Sequence, residues 1–423
     1  MTRRRAAPRD PDTAGVRVSP LGPSFDLLGA AEPGGFFMER SGLGVATGGA
    51  GPVDLALEGG SSGIGDAGRR ALRSLRSLPR DRGAAAPVAV GALPFDGGPA
   101  ILRIPRRAVR RTVPGGTWLV ETPSGDPPLA PFAPRPVRPA TIPHEAFTDL
   151  QLVPRPATER YADAVGAAVA RIRAGDLRKV VLARQLEVGA GRSLDAALLA
   201  TRLRSVEPDA FTFVAPTAAG VLVGASPELL VSRRGFRVGS NPLAGSAPRS
   251  GDREEDRHNA HELETSEKNR EEHAIVVEAV ADTLGPLCEE LTWDPEPVLL
   301  PTANVWHLST RFAGTLRDPA PDALQLVAAL HPTPAVCGSP QVPALAAIAE
   351  LEPFDRGSYA GPVGWVDAEG DGDWAIALRC AAIDGERATL FAGAGIVAGS
   401  EPQAEVDETE RKFRAFLDSL RWG

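Results

Sequence analysis

The stretch Lys179-Val-Val-Leu-Ala-Arg-Gln-Leu-Glu-Val188 is rich in branched apolar residues and predicts a β-strand. The residues before it predict an α-helix, because apolar side chains from Tyr161 to Ile172 recur at helical spacing. Thr158 is a candidate N-cap for this helix, and Gly175 stands just past its end. A helix that leads directly into an apolar strand indicates mixed α and β structure.

Further elements follow on the C-terminal side of this helix and strand. Helices are predicted near 193–206, over one long segment 260–284 and over 401–420. Short strands are predicted at 211–215, 221–224, 361–367, 374–383 and 388–392. Ser400 and Gln403 have the spacing of a capping box at the start of the last helix.

Residues 1–145 differ from the rest of the chain, because they are rich in Gly, Pro and Ala and contain only short apolar runs. This part is predicted to form short strands and loops, and the proline-dense stretch Pro123–Pro143 a stiff connector. We expect residues 1–145 to be a variable N-terminal part, residues 146–423 to be the catalytic region, and the two to form one structural domain.

Composition limits the classes of partner. The 423 residues include 46 basic and 54 acidic side chains, and the net charge of −8 argues against nucleic acid or an anionic membrane as partner. A small-molecule partner is expected instead. The basic start Met1–Arg5 leads into no apolar segment and no run approaches 18 apolar residues, so we expect a cytoplasmic protein. We also expect a monomer. Three cysteines without a zinc spacing are expected to be buried thiols. Lysine is scarce, a bias from which no function is inferred.

Carboxylates at helical spacing occur on two separate segments. Asn269 and Glu272 share one face of a predicted helix, and Glu405, Glu408 and Lys412 form one stripe on another. Two helices that face a common cleft could present hard oxygen ligands to Mg²⁺. Solvent-exposed helix faces would have the same pattern, so spacing alone leaves both interpretations open.

Other kinds of site have less support. His258, His261 and His273 match no familiar zinc spacing and are expected at the surface. Neither a dinucleotide fingerprint nor a phosphate loop is present, although the glycines at 393 and 395 could offer backbone N–H groups to a substrate carboxylate.

Nine strings, in order, resemble the chorismate-utilising enzymes, a family that includes isochorismate, anthranilate, aminodeoxychorismate and salicylate synthases. They are Lys179-Val-Val-Leu-Ala-Arg184, Gly224-Ala-Ser-Pro-Glu228-Leu-Leu230, Pro242-Leu-Ala-Gly-Ser246, Glu272-His273, Trp306-His307-Leu308, His331-Pro-Thr-Pro-Ala-Val-Cys-Gly338, Gly361-Pro-Val-Gly-Trp365, Ala377-Leu-Arg379 and Gly393-Ala-Gly-Ile396. The resemblance runs from about 145 to the C-terminus. It implies an α+β fold like that of anthranilate synthase component I, with two large antiparallel sheets packed face to face and helices outside.

The resemblance also implies the roles of site residues. Lys179 would deprotonate the attacking water, and Glu228 would protonate the departing C4 hydroxyl. Mg²⁺ would be bound by Glu272 and Glu408, with Glu405 a water-mediated neighbour. Asn269 stands where many relatives have an acidic residue, which puts a second contact near the metal in doubt. The implied substrate-binding residues are Ser246, His307, Ala335, Tyr359, Arg379, Gly395 and Lys412.

Two positions indicate which member of the family this is. Ala244 stands where aminodeoxychorismate synthases carry a lysine nucleophile, and Lys179 is a position that anthranilate synthases usually lack. The resemblance therefore implies an isochorismate synthase that feeds siderophore (2,3-dihydroxybenzoate or salicylate) or menaquinone biosynthesis. The alternatives are a salicylate synthase, which goes on to eliminate pyruvate, and a non-catalytic chorismate-binding homologue.

Overall fold

The computed structural model describes residues 15–22, 25–48, 53–57, 61–78, 85–98, 100–112, 116–122, 129, 131–133, 147 and 149–421. Its strands are β1 (Arg17–Leu21), β2 (Phe37–Arg40), β3 (Leu43–Thr47), β4 (Val53–Leu57), β5 (Val88–Ala92), β6 (Ala100–Ile104), β7 (Arg107–Thr112), β8 (Gly116–Glu121), β9 (Gln151–Arg155), β10 (Lys179–Gly189), β11 (Phe211–Thr217), β12 (Gly220–Ser226), β13 (Leu229–Arg234), β14 (Arg237–Asn241), β15 (Leu243–Pro248), β16 (Cys288–Trp293), β17 (Val298–Pro301), β18 (Val305–Ser309), β19 (Phe312–Leu316), β20 (Gly338–Ser339), β21 (Pro362–Asp367), β22 (Gly372–Ile376), β23 (Cys380–Asp384) and β24 (Arg387–Ile396). Its α-helices are α1 (Ser61–Ser77), α2 (Thr158–Arg173), α3 (Ala196–Val206), α4 (Arg253–Thr265), α5 (Glu267–Leu284), α6 (Ala323–Leu330), α7 (Gln341–Leu351) and α8 (Pro402–Leu420).

Two large antiparallel sheets dominate the architecture, as the fold prediction requires. The first has 12 strands in the order β1-β8-β7-β3-β2-β11-β12-β23-β24-β10-β20, and β9 also pairs with β10. The second has nine, in the order β16-β19-β14-β13-β22-β21-β5-β6-β4. A small third sheet, β15-β18-β17, lies beside them. The predicted α+β class is confirmed.

The main core lies between the two large sheets. Along β10, Val180 and Leu182 belong to the same buried cluster as Val231 and Trp374 of the second sheet. Further along β10, Leu186 belongs to another cluster, which α3 and α8 cover from outside. Because successive side chains of a strand point to opposite faces, the unbroken run of buried residues from Lys179 to Arg184 means that this part of β10 is covered on both sides. Burying one such Val or Leu contributes roughly 1.5–3 kcal/mol.

Strands from both sides of residue 145 contribute to both large sheets. In the first sheet, Met38 of β2 pairs with Phe213 of β11. In the second, Val90 of β5 pairs with Trp365 of β21. The predicted proline connector, residues 123–143, lies outside the described residues except for 129 and 131–133. The helix α1 was not predicted, because its first turns are rich in Gly and Ser.

The predicted single helix over 260–284 is wrong. The chain forms α4 and α5, which are separated at Ser266, whose backbone is extended with φ −67° and ψ 113°. The Ser266 side chain accepts a hydrogen bond from the N–H of Asn269 and so caps α5. This break restarts the helix one turn before Glu272.

The predicted strand over 374–383 is also wrong as a single element. It consists of β22 in the second sheet and β23 in the first, and the chain crosses between the sheets at residues 377–379. Arg379 has φ 49°, a left-handed conformation that is uncommon outside glycine. The mostly apolar sequence of residues 374–383 therefore gives no sign of the sharp change in chain direction at Arg379.

The predicted capping box at the start of α8 is not formed. The N-cap position is Glu401, without a side-chain cap, and the Ser400 hydroxyl instead accepts a hydrogen bond from Val397 N–H at 3.1 Å. Thr158 likewise begins α2 rather than capping it. None of the helices in the described part of the chain is long and apolar enough to cross a lipid bilayer.

A buried ion pair completes the hydrogen bonding along one edge of β10. This edge pairs with β20 at Lys179 and Val180 and with β9 only from Gln185 onward. In the gap, Glu352 accepts a hydrogen bond from Ala183 N–H at 2.7 Å, and Arg356 donates one to the Val181 carbonyl at 2.8 Å. The two side chains also pair with each other. The side chains of Glu352 and Arg356 thus make the hydrogen bonds that a neighbouring strand would otherwise make with this part of β10.

Candidate active site

A cleft opens beside the junction of the sheets. It is lined by ten of the twelve predicted site residues: Glu228, Ser246, Glu272, His307, Ala335, Tyr359, Arg379, Gly395, Glu408 and Lys412. The other two, Lys179 and Glu405, are fully buried close to the lining residues, with which they form ion pairs or electrostatic contacts. The structure thus brings together side chains that are far apart in sequence.

Two neighbouring crossings between the sheets position Glu228 and Arg379. The chain leaves β12 of the first sheet, passes Glu228 and enters β13 of the second; it returns through residues 377–379 from β22 to β23. The crossings are joined by hydrogen bonds from Ile376 N–H to the Glu228 carbonyl and from Ala225 N–H to the Arg379 carbonyl, both at 3.2 Å. A predicted acid and a predicted carboxylate-binding group therefore enter the cleft side by side.

Lys179 lies at the start of β10 with its ammonium completely buried. Its Nζ is 3.0 Å from Glu272 Oε1 on α5, and among the described residues no hydrogen-bond acceptor has suitable geometry for it. Gly395 of β24 allows this arrangement, because a Cβ there would overlap Glu272 Oε1 and lie 3.1 Å from Lys179 Cε. A glycine is needed at this close approach.

Glu228 is a carboxyl group held in its neutral form. Burial raises its pKa to about 8, although the charges of Lys179 and Lys412 and a hydrogen bond with the Leu243 backbone oppose the rise. At neutral pH the side chain therefore carries a proton that it can donate. A protonated carboxylic acid in a cleft is suited to general acid catalysis.

His307 and Arg379 form a hydrogen-bonded pair in the cleft wall. Burial, with the charges of Arg379 and Lys412, holds the pKa of His307 well below its usual range, so the ring is neutral. Its Nδ1 is 3.3 Å from the Gly245 carbonyl, and its Nε2 is 2.9 Å from Arg379 Nη2. Because Arg379 can only donate, Nε2 is the acceptor and Nδ1 carries the proton.

Three glutamates at the cleft each pair with a lysine. Lys179 is 3.0 Å from Glu272, Lys268 is 2.7 Å from Glu405, and Lys412 is 2.6 Å from Glu408. The helices α5 and α8 supply all of these residues except Lys179. The sequence pattern had identified the three carboxylates, but it did not identify Lys268 as part of the site.

The two glutamates of α8 differ in acidity. Burial raises the pKa of Glu405, and the charge of Glu408 raises it further, against the opposing effect of Lys268. Burial also raises the pKa of Glu408, but Lys412 and the Ser246 hydroxyl outweigh it and hold that pKa low. Glu408 is therefore ionised, whereas the charge of Glu405 depends on its cationic partner.

The carboxylates offer suitable donors for a divalent cation. Within the described ranges, no three His, Cys, Asp or Glu side chains are gathered closely enough to enclose a metal ion by themselves. Glu272 and Glu408 do line one cleft from two helices. One or two carboxylates together with water and substrate oxygens are a usual environment for Mg²⁺, so these residues fit that ion.

Sequence reasoning placed one histidine wrongly. His258 and His261 are exposed as expected, but His273 is buried, and its Nε2 lies 2.8 Å from the Thr310 hydroxyl. Burial and the charge of Lys179 lower the pKa of His273 to about 4. Its position one residue after Glu272, where α5 turns its apolar side inward, was the signal that could have revealed this. The three cysteines are free and buried, as expected.

Comparison with known proteins identifies the family. Residues 138–421 match the model of a family described as chorismate binding enzyme. The chain belongs to the chorismate-binding enzymes. Isochorismate synthase DhbC of Bacillus subtilis (strain 168) is 46% identical over 274 residues, which are 63% of this chain and 69% of DhbC. The predicted resemblance to the chorismate-utilising family is therefore confirmed.

Solved structures of chorismate-binding enzymes have the same architecture. The crystal structure of a putative 2,3-dihydroxybenzoate-specific isochorismate synthase, DhbC from Bacillus anthracis, has a TM-score of 0.80 at 36% identity, covering 94% of this chain and 99% of that one. Anthranilate synthase component I from Streptococcus pneumoniae TIGR4 has a TM-score of 0.65 at 21% identity, covering 99% and 94%. The second similarity concerns the fold alone, and it confirms the predicted fold type.

Proposed function

We propose that this protein is an isochorismate synthase, which adds water at ring C2 of chorismate and expels the C4 hydroxyl. The proposal rests mainly on one observation: a buried lysine, Lys179, lies next to a cleft that is lined by a buried and protonated carboxylic acid, Glu228. Similarity to isochorismate synthases such as DhbC supports it. Ala244 lines the cleft, so that position offers no amine nucleophile.

In the proposed mechanism, Lys179 first releases its ammonium proton to solvent, and the neutral amine then accepts a proton from water as the water oxygen forms its bond to C2. The bond between C4 and its hydroxyl oxygen breaks, and Glu228 donates the proton that lets this group leave as water. One water is consumed and one is released, so the net reaction is an isomerisation. Lys179 is then an ammonium again, and Glu228 regains a proton from solvent, which restores the starting state.

The cleft offers partners for the substrate's carboxylates. Arg379 presents a planar guanidinium, which can bind a carboxylate with two hydrogen bonds. Its hydrogen bond with neutral His307 fixes the orientation of the guanidinium. Backbone N–H groups near Gly395 and the side chains of Ser246 and Tyr359 lie along the same wall. We assign Ala335 and Lys412 to this binding surface as well.

We further propose that Mg²⁺ is bound by Glu272 and Glu408, with Glu405 as a water-mediated neighbour. When bound, the ion would supply positive charge opposite the ring carboxylate of the substrate. Support comes from the oxygen donors that line the cleft and from Gly395, which leaves space for the Glu272 carboxylate. Asn269 lies beside Gly245 and offers an amide rather than a carboxylate.

Product analysis tests the reaction. The purified full chain is incubated with chorismate and MgCl₂, isochorismate is measured by chromatography, and pyruvate is measured with lactate dehydrogenase. We expect isochorismate without pyruvate. Release of one pyruvate per chorismate would instead indicate a salicylate synthase, and the absence of any turnover would indicate a chorismate-binding protein that is not an enzyme.

The acidity of Glu228 predicts a pH dependence. A carboxyl group with a pKa raised to about 8 is protonated below that pH and loses its proton above it. We therefore expect kcat/KM to fall as the pH rises through about 8, because the free enzyme then lacks its acid. Steady-state rates measured from pH 6 to pH 10 check this, and a level profile up to pH 10 would contradict it.

Removal of single carboxylates tests the metal site. We expect Glu272→Gln and Glu408→Gln each to raise the Mg²⁺ concentration for half-maximal rate by roughly 10- to 100-fold, because each removes an anionic ligand. Glu278→Gln is the matched control, since this glutamate of α5 pairs with Arg178 at the surface. Full activity of both site variants in chelator would exclude the assignment.

The organisation and location of the chain are proposed on separate grounds. We infer one structural domain, because strands before and after residue 145 share both sheets. We also propose that the protein is a monomer. Three free buried thiols favour the cytoplasm. The product would feed siderophore or menaquinone biosynthesis. Light scattering of the purified protein tests the proposed monomer.

A further inference from the structure

The chain uses lysine at only three positions. Of its 46 basic residues, all are arginine except Lys179, Lys268 and Lys412. Lys412 lines the cleft, Lys179 and Lys268 lie next to it, and each of the three is paired with a different glutamate. Every other ion pair of the described residues uses arginine, apart from one histidine. Lysine therefore occurs only beside this site, and two of the three lysines, Lys179 and Lys412, already have proposed roles.

Lys268 has no such role, yet its placement is specific. It is the second residue of α5, where the positive end of the helix dipole disfavours an ammonium group. Its Nζ donates a hydrogen bond of 2.7 Å to Glu405 Oε1, and its charge also interacts with Glu272 and Glu408. Local helix stability does not explain a cation at this position, whereas the three carboxylates do.

Lys268 also differs from the other two lysines in its access to water. Its side chain is 33% exposed, compared with 0% for Lys179 and 16% for Lys412. Its partner Glu405 is 2% exposed. Because the Lys268 side chain reaches inward from solvent on a flexible stem, it can withdraw and return its ammonium group to water. The Glu405 carboxylate stays buried when this happens, so it then needs another cation beside it.

The presence of lysine rather than arginine at position 268 fits a side chain that leaves its carboxylate and is replaced there by another cation. A guanidinium can bind a carboxylate through two parallel hydrogen bonds, and this geometry holds the pair firmly. An ammonium is a compact and strongly hydrated charge, so less is lost when it returns to water. Elsewhere the chain uses arginine for lasting contacts, such as the buried pair of Arg356 with Glu352.

We propose that Lys268 is a displaceable counter-cation, which neutralises Glu405 in the metal-free protein and competes with the divalent cation for the carboxylates. This inference rests on the proposed Mg²⁺ site. In the metal-free protein, three ammonium groups balance three carboxylates. Because Lys268 pairs with Glu405 and its charge also acts on Glu272 and Glu408, it opposes the entry of Mg²⁺ and lowers the metal affinity of the substrate-free site.

Calorimetric titration of MgCl₂ into the substrate-free full chain tests the proposal. We expect Lys268→Gln to lower the Kd for Mg²⁺ by about tenfold, which corresponds to about 1.4 kcal/mol. Lys268→Arg should raise the Kd, because a guanidinium that binds Glu405 through two hydrogen bonds is harder to displace. Arg270→Gln is the matched control: it removes one positive charge from the same helical turn, but its side chain pairs with Glu296 at the surface. Its Kd should stay within about twofold of the original.

The possible outcomes distinguish this inference from the metal site itself. If the unmodified chain binds Mg²⁺ and Lys268→Gln binds it no more tightly, Lys268 does not compete and the inference fails alone. If the unmodified chain and both Lys268 variants show no saturable binding, the proposed metal site fails and the inference fails with it. Circular dichroism and thermal unfolding of each variant verify that the fold is retained, and Lys268→Met provides a second neutral side chain.

Discussion

Replacement of Glu228 by glutamine is expected to lower kcat for isochorismate formation by about 10²- to 10⁴-fold. Hydroxide is a poor leaving group unless a proton arrives as its bond to carbon breaks, and an amide cannot supply that proton. Glu228 is already neutral in the folded protein, because burial raises its pKa to about 8. Glutamine has nearly the same shape and the same charge, so we expect the melting temperature to change little.

A control separates the lost acid from a general effect of substitution. Glu39 of β2 is also buried, but it pairs with Arg204 of α3 and does not line the cleft. Glu39→Gln should therefore retain most of its activity. Turnover by Glu228→Gln within tenfold of the original rate would show that the leaving group receives its proton from another source.

Replacement of Lys179 by methionine is the other substitution with a large expected effect. We expect a decrease in kcat of about 10²- to 10⁴-fold, because the attacking water then lacks a base. The change also leaves Glu272 without its ion partner, and breaking a buried pair costs about 3–5 kcal/mol. Chromatographic rates and urea denaturation measure the two effects separately.

The double variant Lys179→Met/Glu272→Gln, compared with Glu272→Gln alone at saturating MgCl₂, distinguishes a catalytic role of Lys179 from a structural one. It removes both charges of the pair, so the free energy of unfolding should recover much of its loss. Its turnover should stay far below that of Glu272→Gln, because no base has been restored. If the double variant regained stability and turned over as fast as Glu272→Gln, Lys179 would be a structural partner of Glu272 and not the base.

Much of the fold could be predicted from local patterns. The helix of residues 158–173 and the strand from Lys179 lie close to where apolar periodicity placed them. The crossing at Arg379 could not be read in this way, because its apolar neighbours continue the strand pattern through a left-handed residue. The same applies to Ser266, where a polar residue between two helical runs marks a break only once its backbone is known to be extended.

The site was predicted mainly by resemblance, and the structure explains why spacing was insufficient. Glu405 and Glu408 have the sequence pattern of an exposed helix, yet both face inward; Glu405 pairs with Lys268 of α5, and Glu408 pairs with Lys412 of its own helix. Pairing across a long separation sets the state of Glu405, and periodicity within one helix carries no information about it. Lys268 was overlooked for this reason. The buried His273 illustrates the same limit, because its partner Thr310 is 37 residues away.

Confinement of lysine to the cleft determines how the protein reacts with amine-directed reagents. Acylating agents, aldehydes and amine cross-linkers find no lysine ε-amine on the rest of the molecule. Lys268 is the most accessible of the three lysines, so it should be labelled first and Lys179 last. Attachment of the protein to a support through a lysine would therefore block the cleft. The three thiols are buried, so they are also unsuitable as attachment points. The extent of lysine labelling instead reports how open the cleft is.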